Sequence, residues 1–240
     1  MQATDGNFYG TTASGGAPHY VGTIFKITIG GTLTKLYSFC SQTNCTDGSS
    51  PRAAALLQAT NGNLYGTTYL GGGTVFRLGV ALGPFLEAVT YSGKVGSTIE
   101  FLGQGFTSST TVSFNGTKST TVTVKSGGYL TATVPNNATT GFVTTTTSGV
   151  TLKSNKMFRV IPQIASFSPT SGSVGTSVII KGVSLKETTQ VKFGGVPATN
   201  LTVNSDTQVT VTVPNAAKTG KITVTTPGGT ATSSGTFTVT

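Results

Sequence analysis

The sequence predicts an all-β chain: a partial propeller-like repeat segment followed by two tandem β-sandwiches. Two internal repeats and one pattern predict it. Gly93 to Val160 superposes without a gap on Gly172 to Val239 at an offset of 79 residues. Residues 2–16 recur as 58–72 at an offset of 56. Throughout, apolar residues alternate with period two between Gly, Pro, Asn and Asp turns. Repeats of this kind fix architecture before any residue acquires a role.

In the first segment QATDGNFYGTTASGG (2–16) returns as QATNGNLYGTTYLGG (58–72). The echo continues as Gly22 to Ile27 against Gly73 to Leu78, now at an offset of 51, so the second loop is five residues shorter. Asp5-Gly6 and Asn61-Gly62 are turn dipeptides, each leading into a short aromatic strand (Phe8-Tyr9, Leu64-Tyr65). Two more strand candidates lie between, Thr34 to Phe39 and Ala53 to Gln58. Four short strands in a unit of about 40–50 residues is the arithmetic of a propeller blade. One full unit and half of the next lie within residues 1–81, fewer than the roughly 4–8 blades of a closed propeller. These motifs, DGNFYGTT…GG…GTIFKI and NGNLYGTT…GG.GTVFRL with Asp47-Gly48 to Pro51 between them, resemble the GloVer tandem repeats of bacterial choice-of-anchor surface proteins. That resemblance implies a secreted or surface-attached protein, propeller-like repeats and no established catalytic residues.

Cys40 and Cys45 flank SQTN in a loop. A zinc site there lacks its other ligands, and no CxxC motif exists, which leaves a loop disulfide or two free thiols. A disulfide would agree with an oxidising compartment.

Gly79 to Pro84 is the expected boundary, giving domains at 1–81, 82–161 and 162–240. In the duplicated part Phe101 meets Ile180, Phe114 meets Phe193, Val134-Pro135-Asn136 meets Val213-Pro214-Asn215, and Phe158 meets Phe237. Alternation places Ile99 and Phe101 on one face with Glu100 opposite, and Val209, Val211 and Val213 together. Gly194-Gly195 and Pro227-Gly228-Gly229 read as tight turns. About 80 residues suit a compact seven-strand version of the immunoglobulin architecture, here without its disulfide or core Trp. SFSPTSGSVGTSVIIKG…VKFGG…VTVTVPNAAKTGKITVTTPGG…FTV, across 162–240, resembles the IPT/TIG family of immunoglobulin-like domains. The copy at 84–161 is more divergent, with Thr90 in place of Pro169 and Thr145 in place of Val224. The resemblance implies an immunoglobulin-like fold found in receptors, adhesins, secreted polysaccharide enzymes and some transcription factors, so it does not select a function.

Composition narrows the classes. Charged residues are only 9% of the 240, against about 25% in ordinary soluble proteins; Thr and Ser clothe the outer faces instead. The net charge of +9 is spread along the chain, and three of the fifteen cations are Arg (Arg52, Arg77, Arg159). Nucleic-acid readers cluster such charges, so no nucleic-acid partner is expected, only weak attraction to anionic polymers. The longest apolar stretch, Leu78 to Leu86, is short and broken by Gly and Pro, so no transmembrane helix is expected. The N-terminus falls inside a repeat unit and shows no signal peptide; the chain reads as a fragment.

No constellation for catalysis stands out, and no cofactor or metal is expected. His19, the single histidine, sits in the Ala-Pro-His-Tyr loop that the second repeat lacks. The six acids, Asp5, Asp47, Glu87, Glu100, Glu187 and Asp206, are isolated, whereas a glycosidase needs a facing pair and calcium several clustered oxygens. Glu100 could serve an intramolecular Lys–Asn crosslink only if buried; alternation puts it outside. Among the tyrosines, Tyr9 and Tyr65 occupy equivalent packing positions, while Tyr20 and Tyr69 are freer to contact a ligand. The expected function is a non-enzymatic extracellular or cell-surface protein whose sandwiches act as spacers or adhesive modules, with a surface polymer or glycan as candidate partner. Two rival readings are a carbohydrate-binding accessory region of a secreted polysaccharide enzyme, and a homo-oligomer assembled through the open strand edge of the half-unit at 58–80.

Overall fold

The computed structural model describes residues 1–52 and 55–240. It is all-β, with one short 3₁₀ turn at Thr43–Cys45. Two compact units, Met1–Phe85 and Leu86–Thr240, make up the chain.

In the first unit Phe8–Thr12, Thr23–Ile27 and Leu33–Ser38 form one antiparallel sheet in chain order, and Leu57–Gln58, Leu64–Thr67 and Val75–Leu78 form another. The sheets fall in a different phase from the one the sequence predicts. The strand expected at 53–58, of which Ala53 and Ala54 lie outside the described residues, does not close the first unit. Its Leu57–Gln58 pairs with Tyr65 and Leu64 of the next sheet. The cause is the Asn61-Gly62 turn: Gly62 N–H donates to the Ala59 carbonyl at 2.9 Å and Ala59 N–H to that of Asn63 at 3.0 Å. A hairpin that tight binds the strand before it to the strand after it. The same geometry starts the chain, where Gln2 bridges Phe8 as Gln58 pairs with Leu64. The core of this unit gathers Ala3, Tyr9, Ile24, Phe39, Leu56 and Leu64. Phe39 meets Phe76 edge-on at 5.0 Å, which ties the two sheets together.

The repeat motif has a physical reading. Asp5 accepts the Asn7 N–H at 3.1 Å and the Tyr9 hydroxyl at 2.9 Å; Asn61 accepts the Asn63 N–H at 3.0 Å and donates to the Tyr65 hydroxyl at 3.1 Å. Each is an Asx turn that also holds the aromatic of its strand. Thr12 and Thr68, closing each YGTT, bond the Thr23 and Thr74 hydroxyls at 2.8 and 2.9 Å. Gly10 and Gly66 leave room for the Phe25 and Phe76 rings, which a Cβ would strike.

The second unit holds two sandwiches with separate cores. In the first, Thr117–Lys118, Thr111–Phe114, Gly141–Thr147, Val150–Val160 and Ser92–Gly93 face Val122–Ser126, Tyr129–Thr133, Thr98–Leu102 and Glu87–Ala88. In the second, Gln163–Ser168, Ser177–Val183, Gln208–Thr212 and Thr199–Ser205 face Val196–Pro197, Gln190–Phe193, Ile222–Thr226 and Gly229–Thr232, with Ser171–Gly172 parallel to Thr238–Val239. The strands outnumber the seven of the compact plan because short edge pieces such as Ser92–Gly93 and Ser171–Gly172 pair separately, in parallel, with the last strand.

The duplication extends to hydrogen bonds. Gly96 and Gly175 donate to the Val134 and Val213 carbonyls at 2.9 and 3.0 Å, and Phe106 and Leu185 to Gly127 and Asp206 at 3.0 and 2.8 Å. Phe101, Phe114 and Phe158 pack edge-to-face in the first core; Phe193 and Phe237 do so at 4.9 Å in the second. Such rings supply by apolar burial and quadrupole contacts what an inter-sheet disulfide would otherwise add. Glu100 is exposed between buried Ile99 and Phe101, as alternation predicts, and the Tyr129 hydroxyl reaches it.

Candidate ligand-binding surface

The first unit concentrates the loops that repetition does not explain. Cys40 and Cys45 are joined in a disulfide that closes the loop after Leu33–Ser38. Backbone bonds brace it: Cys45 N–H to Gln42 O at 3.0 Å, Gly48 N–H to Cys45 O at 2.8 Å, Cys40 N–H to Gly48 O at 3.1 Å. Asp47 is its internal anchor. One carboxylate oxygen accepts the Tyr37 hydroxyl at 2.7 Å and the Ser41 N–H at 3.0 Å; the other accepts the Gln42 N–H at 3.4 Å. Burial alone would raise this carboxyl, but the bonds from Tyr37, Ser41 and Gln42 outweigh it and hold it below the usual range. In the sequence Asp47 reads only as one of six isolated acids; this inward role has as its signal the Tyr37–Asp47 pairing across the loop.

Tyr20 and Tyr69 are both exposed, at 68% and 65%, whereas Tyr9 is buried and Tyr65 half-buried. Their loops meet one segment: Ser50 N–H donates to the Val21 carbonyl at 2.7 Å, and Tyr69 N–H to the Ser50 carbonyl at 3.0 Å. His19 is exposed in the loop before Tyr20.

Each acid is taken up by its own surroundings. Asp5 holds its turn and stands 3.9 Å from Lys26 Nζ. Glu87 accepts from Asn155 Nδ2 at 2.5 Å, Glu187 stands 4.0 Å from Arg159 Nε, and Asp206 accepts the Lys186 N–H at 3.3 Å. Among the described residues no group of three or more His, Cys, Asp or Glu side chains gathers to hold a metal, and no helix is long and apolar enough to cross a membrane.

A pair of residues that sequence reasoning passed over lies in the sandwiches. Ser154 and Ser233, 79 apart, are both buried at 4% exposure. Ser154 Oγ accepts the Val143 N–H at 3.0 Å and donates to the Lys156 carbonyl at 2.7 Å. Ser233 Oγ accepts the Ile222 N–H at 3.0 Å and donates to the Gly235 carbonyl at 2.7 Å. Ser154 bridges the point where the pairing of Gly141–Thr147 with Val150–Val160 shifts register, and Ser233 the point just past Gly229–Thr232, a structural rather than a ligand-facing task.

Several solved structures are similar to parts of this chain at low sequence identity. A protein named SGBP-B from a complex xyloglucan utilization locus in Bacteroides uniformis is 20% identical over 65% of this chain and 50% of its own, with a TM-score of 0.33. The surface glycan-binding protein PbSGBP-B from Prevotella bryantii is 20% identical over 64% of this chain and 41% of its own, TM-score 0.37. SGBP-B of a Bacteroides ovatus mixed-linkage glucan utilization locus, in complex with a mixed-linkage heptasaccharide, is 18% identical over 83% and 57%, TM-score 0.27. The chain thus spans between 41% and 57% of the length of these three. No curated protein matches it. Residues 162–239 match the IPT/TIG domain family, and that part of the chain is an IPT/TIG domain.

Proposed function

We propose that this chain is a non-catalytic extracellular or cell-surface protein in which β-sandwich modules act as spacers or binding modules. Its modules are propeller-like GloVer-type repeats at 1–81, a divergent IPT/TIG-like sandwich at 82–161 and the IPT/TIG sandwich at 162–240. The observation that carries the spacer reading is the joint between the sandwiches. Only Ile161 and Pro162 separate Val150–Val160 from Gln163–Ser168. Ile161 N–H donates back to the Gly93 carbonyl at 2.9 Å, and Pro162 is buried. Gly228 and Gly229 lie so close that a Cβ on the first would sit 2.9 Å from the Val160 carbonyl and one on the second 3.3 Å from Ile161. Thr140 and Ser184 hydroxyls bond across the joint at 3.1 Å. A two-residue connection packed on both sides transmits orientation, where a Gly/Ser-rich linker would let it go.

Residual dipolar couplings test this: the two sandwiches must report one alignment tensor. Two distinct tensors would refute the spacer reading. Disulfide formation supports an oxidising compartment. A glycan-binding reading is favoured by a separate observation, the two exposed tyrosines whose loops converge on Ser50; saturable retention on insoluble polysaccharide tests it.

A further inference from the structure

We propose that the cavity between Pro18–His19 and the disulfide-closed loop 40–45 is a binding site for a neutral saccharide. The proposal rests on the glycan-binding reading and gives that reading a place. The cavity, about 440 Å³, is lined by Pro18, His19 and the six residues from Cys40 to Cys45. One wall belongs to the stretch by which the loop 13–22 exceeds its counterpart 69–73 by five residues. The other wall is the disulfide loop. In repeat folds, insertions that one unit carries and its neighbour lacks collect in loops on one face, often the binding face, and here such an insertion faces a braced loop.

The chemistry of the lining selects the ligand class. Among the described residues, no Lys, Arg, Asp or Glu lines it. The nearby carboxylate, Asp47, is turned inward onto Tyr37, Ser41 and Gln42. An anionic ligand would find no cation, and a cationic one no free carboxylate. A purely apolar ligand would cover the amides and hydroxyls of Ser41, Gln42, Thr43 and Asn44 without replacing their water, at a cost of about 1–3 kcal/mol for each group left unpaired. A sugar meets both demands. Carboxamides offer a donor and an acceptor side by side, matching neighbouring hydroxyls, while Pro18 and the disulfide offer apolar surface to the ring's C–H face. Tyr20, next in the chain after His19, is exposed.

The site is organised before any ligand arrives. Tyr20, Cys40, Asn44 and Cys45 all hold positive φ, between 53° and 60°, in a region that costs non-glycine residues energy and recurs at ligand clamps. The disulfide and the Asp47 bonds hold the second wall in that form, which spares a ligand the ordering cost. Thr46 Oγ donates to Gln42 Oε1 at 3.1 Å, fixing which way that amide points.

The test titrates the full chain, by two-dimensional amide NMR, with hexasaccharides of β-1,4-glucan, β-1,3-glucan, xylan and mannan up to about 10 mM, where a site with Kd near 1 mM is about nine-tenths filled. The expected result is saturable shifts at His19 and residues 40–45 with at least one of them. A His19→Ala/Asn44→Ala double variant, its fold checked by unchanged resonances of the first unit's core at Ile24, Leu56 and Leu64, is expected to weaken binding at least tenfold; Ser234→Ala, exposed in the second sandwich, is expected to leave it unchanged. Binding that maps elsewhere, or that survives the double variant, overturns this site and leaves glycan binding standing. No shift with any of the four overturns both.

Discussion

Replacing Ser233 by Ala tests whether the duplicated serine is a requirement of the sandwich or an accident of a Ser-rich sequence. The hydroxyl serves two groups, and they are not equivalent. Ile222, whose N–H it accepts at 3.0 Å, is fully buried; Gly235, whose carbonyl it bonds at 2.7 Å, is exposed. Once the hydroxyl is gone, water can reach the carbonyl but not the N–H. The cost therefore reduces to one buried unsatisfied donor, about 2 kcal/mol within a range of 1–3. That corresponds to roughly a 30-fold change in an equilibrium constant. Urea unfolding of the full chain, followed at sandwich resonances, should show the loss, and hydrogen exchange at the Ile222 amide should accelerate by a similar factor. Ser154→Ala should do the same to Val143, since the geometry repeats. Ser234→Ala, one residue away and exposed, should stay within about 0.5 kcal/mol. If Ser233→Ala costs no more than Ser234→Ala while the Ile222 amide keeps its protection, the reasoning fails.

Further outcomes follow from other sites. Thr145 is 1% exposed where the second copy has Val224; Thr145→Val should stabilise the first sandwich by about 1 kcal/mol, and thermal unfolding at a lower temperature would contradict that. Gly228→Ala should press on the Val160 carbonyl and split the single alignment tensor into two without changing either core, as its 2.9 Å clearance demands. Burial, then the Asp5 hydrogen bond and charge, push the Tyr9 phenol up to about 12 from 10. A raised folded value contributes stability that is complete below about pH 10 and lost between about 10 and 12, of order 2 kcal/mol; the alkaline loss should vanish in Tyr9→Phe. The open edge at Val75–Leu78, with Val75 exposed at 77%, makes self-association by strand pairing the rival outcome; light scattering that stays monomeric as concentration rises removes it.

Much of the fold could be read in the sequence because period-two alternation is a local consequence of the pleat. Ile99, Phe101, Val209, Val211 and Val213 are buried as their spacing requires. The phase of the blades could not be read that way. A cyclic unit has no marked beginning, and whether Leu57–Gln58 closes one sheet or opens the next depends on which neighbour the Asn61-Gly62 hairpin reaches. The serines escaped notice for a different reason. Ser154 and Ser233 align at the 79-residue offset, yet in strands rich in Ser and Thr an alignment of hydroxyls carries little weight until one is seen to be buried. Pro227-Gly228-Gly229 was legible as a turn, but nothing local says that its glycines also seat the end of the preceding sandwich. That role depends on Ile161, more than sixty residues upstream.

A duplicated chain offers an internal comparison that a single domain lacks. Where both copies keep a residue and its bond, as with Ser154 and Ser233 or Gly96 and Gly175, folding of either copy accounts for it. Where the copies part, folding does not, because the other copy folds without it. Gly229 stands where the first copy has Val150, exposed at 64%, and the smaller residue is the one that faces Ile161 across the joint. In the repeats the same logic singles out residues 17–21: the second unit closes its hairpin over five fewer residues and still makes the Thr68–Thr74 bond at 2.9 Å that matches Thr12–Thr23. The longer loop is therefore not needed to make the hairpin. What it adds is Pro18 and His19 on the wall of a cavity whose opposite wall is held by a disulfide, the cavity proposed above as the saccharide site.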